Sequence, residues 1–262
     1  MCIQHKASEY CTLLYFEREE KSIIKKTLDR DAIKYIAIFA MLLDHIAWIF
    51  LDFGSPLAQI FHIVGRITAP IMCFFIAEGY HYTRNKRKYT LRLLIFAFIS
   101  QISWWLMHGK FFTLSFNVIF TLFLGLLAVH VEATYTDDKI GKIILIFLIC
   151  LASFYCDWQF YAVLWCVIFY KYRDNKQKKY ILFSAVGIAY FIITVCKKYS
   201  VAPAPFNNVI SSLYTLGILL CIPILMQYNG EKGKYKISKW VFYIFYPLHM
   251  AIIGIISLLC TN

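Results

Sequence analysis

The stretch AIKYIAIFAMLLDHIAWIFL, residues 32–51, decides the fold class of this chain. It is apolar except for Lys34 near its start and the adjacent Asp44 and His45 past its middle. About 20 residues, each rising about 1.5 Å, cross a hydrocarbon core about 30 Å thick, so the stretch predicts one membrane-spanning helix. Ionisable side chains inside such a helix need a partner or a polar cavity. We therefore take Asp44 and His45 as candidate functional residues, against the alternative of a structural hydrogen-bonded pair.

The composition extends this prediction to the whole chain. Of the 262 residues, 60% are apolar, 18% are aromatic and only 16% are charged, and the mean hydropathy is +0.61. So few polar residues cannot cover the surface of a soluble globule of this size. We expect an all-α polytopic membrane protein, with a cytoplasmic N-terminal segment over residues 1–30 and a single integral-membrane domain over residues 31–262.

Nine apolar runs predict about nine transmembrane helices. The fifth and sixth runs are short for full spans and only a few residues around Asp157 separate them, so a re-entrant pair, or eight spans, remains open. The runs lie at residues 32–52, 60–82, 91–108, 114–133, 141–155, 158–171, 180–196, 207–227 and 239–260.

The positions of the cations predict the orientation of the helices. Alternate connections hold most of the 27 Lys and Arg residues, whereas the intervening connections hold only Lys110, Lys197 and Lys198. By the positive-inside rule, the N-terminus is inside and the C-terminus is outside. This placement explains the net charge of +12 without a nucleic-acid partner. The basic connections are residues 1–30, 84–92, 139–142, 171–179 and 232–239.

Counting residues along the spans places several polar side chains at one depth. His45 lies about 20 Å from the inner edge of the first span, and Arg66 reaches the same level in the second span. We expect Arg66 to contact a carboxylate such as Asp44 or Asp157, rather than to reach for the interface. The same counting brings Ser100, Gln101, Asn117, Thr121, Asp157 and His249 to this depth, where they would line one outward-facing cavity.

Each of these additional residues also has a structural explanation. Ser100, Gln101, Asn117 and Thr121 are residue types that commonly form hydrogen bonds between helices in membranes. Asp157 is consistent with an acidic residue in an interfacial loop. His249 follows Pro247, and a proline kink frees backbone groups that a nearby polar side chain can satisfy.

A second polar group is predicted at the opposite end of the spans. Lys34 and Glu78 both lie near the inner edge, where they form a candidate ion pair or help to hold a cytoplasmic donor. Lys34, Met41 and His45 recur at spacings of seven and four residues, which places them on one face of a helix. We expect one polar stripe to run most of the way through the membrane.

Four blocks of sequence resemble the TraX family of membrane proteins. They are DAIKYIAIFAMLLDHI (31–46), GRITAPIMCFFIAEGYHYTRNKRKYTLRLLIFAFISQ (65–101), NVIFTLFLGLLA (117–128) and KWVFYIFYPLHMAII (239–253). The named member of that family acetylates the N-terminus of conjugative pilin. The resemblance therefore implies a membrane acyltransferase of the bacterial cytoplasmic membrane, with acetyl-CoA or another acyl-CoA as donor and no metal.

The first and last blocks also resemble, more distantly, the acyltransferase-3 superfamily. That superfamily has a basic residue upstream of a helix that ends in histidine, and His45 matches the histidine. Either Arg30 or Lys34 matches the basic residue. The remaining matches are Pro70, Phe74 and Phe75 to a Pro-aromatic segment, and Tyr246 and His249 to a closing helix.

Acyl transfer requires a base that takes the proton of the acceptor, and a histidine suits that role. We expect His45 to be this general base, with Asp44 steering a neighbouring group. Arg66 or Asn117 is the candidate to stabilise the oxyanion. The donor's phosphates would be drawn to inner cations such as Arg84 or Arg92.

Two other classes of protein remain open at this stage. A proton-coupled transporter also needs ionisable residues inside the membrane, although its inverted repeats are not visible in this sequence. A non-catalytic assembly factor for conjugation would keep the same residues for packing. The acceptor of an enzyme is equally open, because pilin, a glycan and a small molecule all fit the sequence.

Overall fold

The computed structural model describes residues 26–201, 204–233 and 238–261. Within these ranges the chain is helical between short connections, which confirms the all-α prediction. Most of the segment predicted over residues 1–30 lies outside the described part. The α-helices are α1 (Arg30–Phe50), α2 (Pro56–Gly65), α3 (Thr68–Tyr82), α4 (Lys86–His108), α5 (Val118–Thr134), α6 (Lys139–Ala152), α7 (Gln159–Lys171), α8 (Lys176–Val201), α9 (Pro205–Ile210), α10 (Cys221–Met226) and α11 (Ser238–Thr261), and the 3-10 helices are Ser153–Tyr155 and Leu213–Leu220.

Six helical stretches of the described chain are long and apolar enough to cross a membrane. The predicted count of nine full spans is therefore not supported. Helices α5, α6 and α7 have 17, 14 and 13 residues, and rise only about 26, 21 and 20 Å. The six stretches are Arg30–Phe50, Pro56–Tyr82, Lys86–His108, Lys176–Val201, Asn207–Met226 and Trp240–Cys260.

Large apolar side chains cover the outside of the helix bundle. Phe39 is 63% exposed, Ile102 64% and Ile140 73%, on three different helices. In water this surface would be unfavourable, whereas hydrocarbon is its natural solvent. Together with the six long apolar helices, it makes the chain a multi-pass membrane protein.

The short helices α5 and α7 pack inside the bundle. Helix α5 contacts α3, α4, α6 and α7, and α7 also contacts α3 and α8. Trp165 and Phe169 of α7 are almost fully buried. A Cβ added at Gly125 of α5 would lie 2.6 Å from Cys166 Sγ, so the glycine permits the close approach of these two helices. Because neighbouring helices surround them, α5 and α7 need not match the full thickness of the hydrocarbon.

A break between α2 and α3 places Arg66 at a turn inside the second predicted span. Proline has no N–H, so Pro70 cannot donate to the carbonyl four residues earlier, which belongs to Arg66. Helix α2 accordingly ends at Gly65, and α3 begins at Thr68. Thr68 Oγ1 donates to the carbonyl of Ala37 at 2.9 Å, which ties the break to α1.

Candidate functional site

A cavity of about 880 Å³ runs through the bundle beside α1. Lys34, Ile38, Met41, His45 and Trp48 of α1 all line it, at spacings of three or four residues that keep them on one helix face. Lys34 and His45 are 11 residues apart, which corresponds to about 16 Å along the helix axis. The cavity thus connects a region near the start of α1 with a polar region near its end.

His45 of α1 and His249 of α11 form a hydrogen-bonded pair, which we call the histidine pair. His45 Nδ1 lies 2.7 Å from His249 Nε2, and the two ring planes differ by only 8°. His249 Nδ1 lies 2.7 Å from the carbonyl of Phe245, one helical turn earlier and two residues before Pro247. Helices α1 and α11 therefore contact each other through the imidazole rings of His45 and His249.

The carbonyl of Phe245 determines the proton positions in the histidine pair. Because a carbonyl only accepts hydrogen bonds, we assign the proton of His249 to Nδ1, which leaves Nε2 as an acceptor in the neutral ring. His45 Nδ1–H then donates to it. His45 Nε2 carries a free lone pair, and within the described residues it has no hydrogen-bond partner. His45 thus presents a base to the cavity that it lines.

Asp44 belongs to a separate cluster with His62 and Arg66, which we call the ion triad. His62 Nδ1–H donates to Asp44 Oδ1 at 2.7 Å, and Arg66 Nη2 donates to Oδ2 at 2.8 Å. All three side chains are buried, and His62 is fully so. A Cβ at Gly65 would lie 2.3 Å from Asp44 Cβ, so glycine lets α2 approach α1 closely enough for these contacts.

Aromatic rings enclose the Arg66 guanidinium. Its carbon lies 4.9 Å from the ring centre of Trp158 and 5.2 Å from that of Tyr214, distances typical of cation–π contacts. Trp158 has φ of 63°, a left-handed conformation that is rare for a bulky residue. A bulky residue keeps such a backbone conformation only where the surrounding structure enforces it, and residues of this kind are common at functional sites. Arg66 keeps one buried donor, Nε, without a hydrogen-bond partner in the described chain.

Asp157 lines the same region of the cavity. Its Oδ1 accepts from the Trp158 N–H at 2.9 Å, and its backbone N–H donates to the Phe116 carbonyl at 2.8 Å. Burial raises the pKa of the Asp157 carboxyl, although the positive charge of Arg66 opposes the shift. Asp157 is therefore an acidic group of the cavity wall that forms no salt bridge with any described residue.

Gln101 and Asn117, the amide pair, lie behind the cavity wall rather than in it. Asn117 Nδ2 donates to Gln101 Oε1 at 2.8 Å and to the Ala97 carbonyl at 2.9 Å, and Asn117 Oδ1 accepts from Ile119 N–H at 2.9 Å. Gln101 Nε2 donates to the Ser115 carbonyl at 2.9 Å. The amide pair fixes the start of α5 against α4 and is not among the residues that line the cavity.

Thr121 also lies outside the lining of the cavity. Its Oγ1 donates to the carbonyl of Asp157, which ties α5 to the start of α7. The structure therefore brings His45, Asp44, Arg66, Asp157 and His249 to one region of the protein, as the sequence predicts. It places Thr121 in an interhelical hydrogen bond, the structural alternative for this residue.

The predicted contact between Lys34 and Glu78 is wrong. Glu78 Oε1 instead lies 3.2 Å from Arg173 Nε. Lys34 Nζ lies 5.2 Å and 4.9 Å from the ring centres of Phe75 and Phe242. Arg84 is exposed and does not line the cavity, whereas Lys34 and Glu78 do.

His62 was not predicted as a site residue, because a histidine near the end of a span is explained by the membrane interface alone. Its available signal was spacing, because His62 and Arg66 are four residues apart and so lie on one face of a helix that approaches α1. Trp48, Phe53 and Tyr214 surround the His62 ring with centroids at 4.5, 5.3 and 5.7 Å. These three aromatic rings come from separate segments of the chain, and no spacing in the sequence predicts that they meet at His62.

Within residues 26–201, 204–233 and 238–261, no group of three or more His, Cys, Asp or Glu side chains is arranged to hold a metal ion. The six long apolar helices and the cavity together define a helical multi-pass membrane protein with ionisable groups around an internal cavity. The model of the TraX family, described as TraX protein, matches residues 29–257. This chain belongs to the TraX family.

Two relatives were found among curated proteins. A "probable fimbrial assembly protein FimC, serogroup H1" of Dichelobacter nodosus is 35% identical over 230 residues, which cover 84% of this chain and 92% of that protein. An uncharacterized protein of Rickettsia prowazekii (strain Madrid E) is 32% identical over 100 residues, which cover 38% of this chain and 36% of that protein. No solved structure matches this chain.

Proposed function

We propose that this protein is a membrane-embedded acyltransferase that moves an acetyl or other acyl group from acyl-CoA to an amine or hydroxyl acceptor. The observation that carries the proposal is the free Nε2 of His45 in the cavity, with its ring fixed by His249. A base oriented by a second group is the arrangement that activates weak nucleophiles. Membership in the TraX family supports the same activity.

The reaction can be written with the residues of this chain in defined roles. His45 Nε2 takes the proton of the acceptor N–H or O–H while the acceptor attacks the carbonyl carbon of the thioester. Arg66 lines the cavity, and its guanidinium is the cation that would stabilise the oxyanion. The carbon–sulfur bond then breaks, and the imidazolium returns the proton to the leaving thiolate, which yields free CoA and the acylated acceptor.

The cavity supports a reaction between substrates that arrive from opposite sides of the membrane. We propose that the N-terminus lies in the cytoplasm of a bacterial-type cell, where the donor is found, and that the C-terminus lies outside. Lys34 then lies toward the cytoplasmic side, and His45 is about 16 Å further along α1. The thioester arm of the donor would lie between them, along Ile38 and Met41.

We further propose that this activity serves the assembly of a surface fibre. The Dichelobacter nodosus relative is named a probable fimbrial assembly protein and covers most of this chain. A pilin is the acceptor that this name favours, and a glycan or a small molecule of the envelope is the alternative.

The proposal is tested with purified protein in lipid vesicles, labelled acetyl-CoA and an envelope extract. We expect His45→Gln to lower label transfer by about 10²- to 10⁴-fold, the usual contribution of a general base. His81→Gln is the matched control, because His81 is exposed and does not line the cavity. Equal transfer by wild type and His45→Gln would contradict the assignment of His45.

The length of the cavity also favours a second candidate, a proton-coupled transporter. Such a protein would move protons into vesicles under a substrate gradient and would leave acyl-CoA unchanged. Proton uptake without any acyl transfer would select the transporter. Neither activity, together with normal fibre assembly by His45→Gln, would select a non-catalytic assembly factor.

A further inference from the structure

Four cations lie around the end of the cavity near the start of α1. Arg30, Lys34, Arg92 and Lys232 line it, together with one acidic residue, Glu78. Arg30 Nε is 3.0 Å from Asp31 Oδ1, so its charge is balanced. Glu78 is paired with Arg173 and cannot balance the others.

Lys34 and Arg92 therefore carry charges that no acidic residue of the described chain neutralises within 4.0 Å. Both side chains are only partly exposed, and each is held by aromatic groups. Lys34 lies over Phe242, and Arg92 Nε donates to the Tyr243 hydroxyl at 3.3 Å. Phe242 and Tyr243 are consecutive on α11 and both line the cavity, so the two cations lie at the same level along that helix.

A half-buried cation is unfavourable unless an anion or water solvates it. Two such cations, on two helices that line one cavity, make an electropositive region that attracts an anionic ligand. Aromatic rings cover parts of both groups and leave their remaining donors for that ligand.

The loop after α10 forms the edge of this region. Leu28 N–H donates to the Gln227 carbonyl at 3.2 Å, and Asn229 N–H donates to the Leu28 carbonyl at 3.0 Å, which fixes the loop against the chain entering α1. Tyr228, Gly230 and Lys232 of the loop line the cavity. Burial raises the pKa of Tyr228 to about 12, so its hydroxyl is neutral and remains a hydrogen-bond donor.

We propose that Lys34 and Arg92 form a phosphate-binding site that holds the nucleotide part of the acyl-CoA. This inference rests on the proposed function and identifies the place where the donor is bound. Lys and Arg are the side chains that bind phosphate oxygens by charge-assisted hydrogen bonds. Arg92 differs from the exposed cations near it in the sequence, such as Arg84 and Arg87, because it lines the cavity and they do not.

The spacing within the cavity agrees with this assignment. The phosphate site and the His45 base are separated by about 16 Å along α1. Apolar side chains, including Ile38, Met41 and Ile76, line the cavity between them. An extended arm with a phosphorylated nucleotide at one end and a thioester at the other would place its phosphates at Lys34 and its reactive carbonyl near His45.

The test compares ligands with and without phosphates. Adenosine 3′,5′-bisphosphate serves as a probe of the site alone, and acetyl-pantetheine serves as a donor that lacks phosphate. We expect Lys34→Met and Arg92→Met each to weaken bisphosphate binding by about tenfold and to raise the KM for acetyl-CoA similarly, with the KM for acetyl-pantetheine unchanged. Lys34→Arg should restore most of the affinity.

Arg87→Met is the matched control, because Arg87 is an exposed cation on the same helix as Arg92. Unchanged bisphosphate binding in both Lys34→Met and Arg92→Met would overturn the site, even if acyl transfer occurs. Equal weakening of bisphosphate and acetyl-pantetheine would overturn it too, since it would indicate a general structural effect. Bisphosphate binding that depends on Lys34 and Arg92 without acyl transfer would support the site and contradict the transferase.

A lipid headgroup also carries a phosphate. Vesicles of two lipid compositions distinguish it from the acyl-CoA donor as the ligand of the site. The measurements are made in phosphatidylcholine and repeated with phosphatidylglycerol added. Nucleotide binding that persists in both supports the assignment to the donor. Competition by phosphatidylglycerol that disappears in Lys34→Met would overturn it and give the site to a lipid.

Discussion

Asp44 and His45 are consecutive residues of α1, but their side chains belong to hydrogen-bond systems of opposite kinds. Asp44 lies in the ion triad, where both carboxylate oxygens are occupied by His62 and Arg66. His45 lies in the histidine pair, where one nitrogen donates to His249 and the other remains free. Adjacent residues on a helix point about 100° apart, and so the two side chains reach different neighbouring helices.

The difference separates structural from chemical uses of polar groups inside this membrane protein. In the ion triad the charges are balanced within the protein, and removal of one member leaves another member uncompensated. In the histidine pair the hydrogen bonds orient a ring whose remaining atom faces the cavity. Substitutions in the histidine pair should therefore lower turnover more than stability, whereas substitutions in the ion triad should lower stability, and at Arg66 also turnover.

The largest effect on stability is expected for Arg66→Met. The substitution leaves the Asp44 carboxylate buried with only His62 as a partner, and loss of one member of a buried ion pair costs about 3–5 kcal/mol. We expect the free energy of unfolding, measured by denaturant titration in detergent, to fall by about this amount.

The double variant Asp44→Asn/Arg66→Met tests the cause. Removing both charges also removes the uncompensated carboxylate, so the double variant should be more stable than Arg66→Met alone. If both variants lose the same stability, the ion triad does not act through charge balance and the comparison with the histidine pair fails.

The next largest effect is expected for His249→Phe, and it is a loss of turnover rather than of stability. The phenyl ring fills similar space but removes the acceptor for His45 Nδ1–H, so the base loses its fixed orientation. We expect kcat to fall about 10²-fold, at the lower end of what a general base contributes, while KM for acetyl-CoA changes little and the unfolding free energy falls by less than in Arg66→Met.

His249→Gln separates orientation from packing. The amide oxygen of glutamine can accept the same hydrogen bond, so this variant should recover part of the lost kcat. Equal loss of kcat in the phenylalanine and glutamine variants, with lower stability in both, would move the histidine pair to the structural class.

The sequence predicted the helical architecture well, because hydrophobic runs and their flanking charges depend on local composition. It overestimated the number of full spans, because α5, α6 and α7 are apolar but short, and α5 and α7 pack among other helices. A buried helix and a lipid-facing helix have the same hydropathy, and only their lengths and neighbours distinguish them.

The site was predicted in part, by depth but not by direction. Counting residues placed Asp44, Arg66 and His249 near His45, because depth follows from helical rise. Rotation about the helix axes, which the count ignores, decides whether Glu78 meets Lys34 or Arg173. The role of His62 depends on the same rotation, and on a break in the second span that Pro70 produces.

The smallest effect is expected for Asn117→Ala in the amide pair, which extends the comparison to uncharged groups. The alanine removes the N-cap of α5 and leaves Gln101 without one partner, and together these changes cost about 1–3 kcal/mol. Since the amide pair lies behind the cavity wall, we expect the kcat of the folded protein to stay within about twofold of the wild type. Asn85→Ala is the matched control, because Asn85 caps α4 through one exposed bond to Lys88 N–H at 2.8 Å and should cost less. A large loss of kcat in Asn117→Ala with normal stability would show that a group whose hydrogen bonds are all made within the protein can still act in catalysis. The hydrogen bonds of a polar group would then not tell whether its role is structural or catalytic.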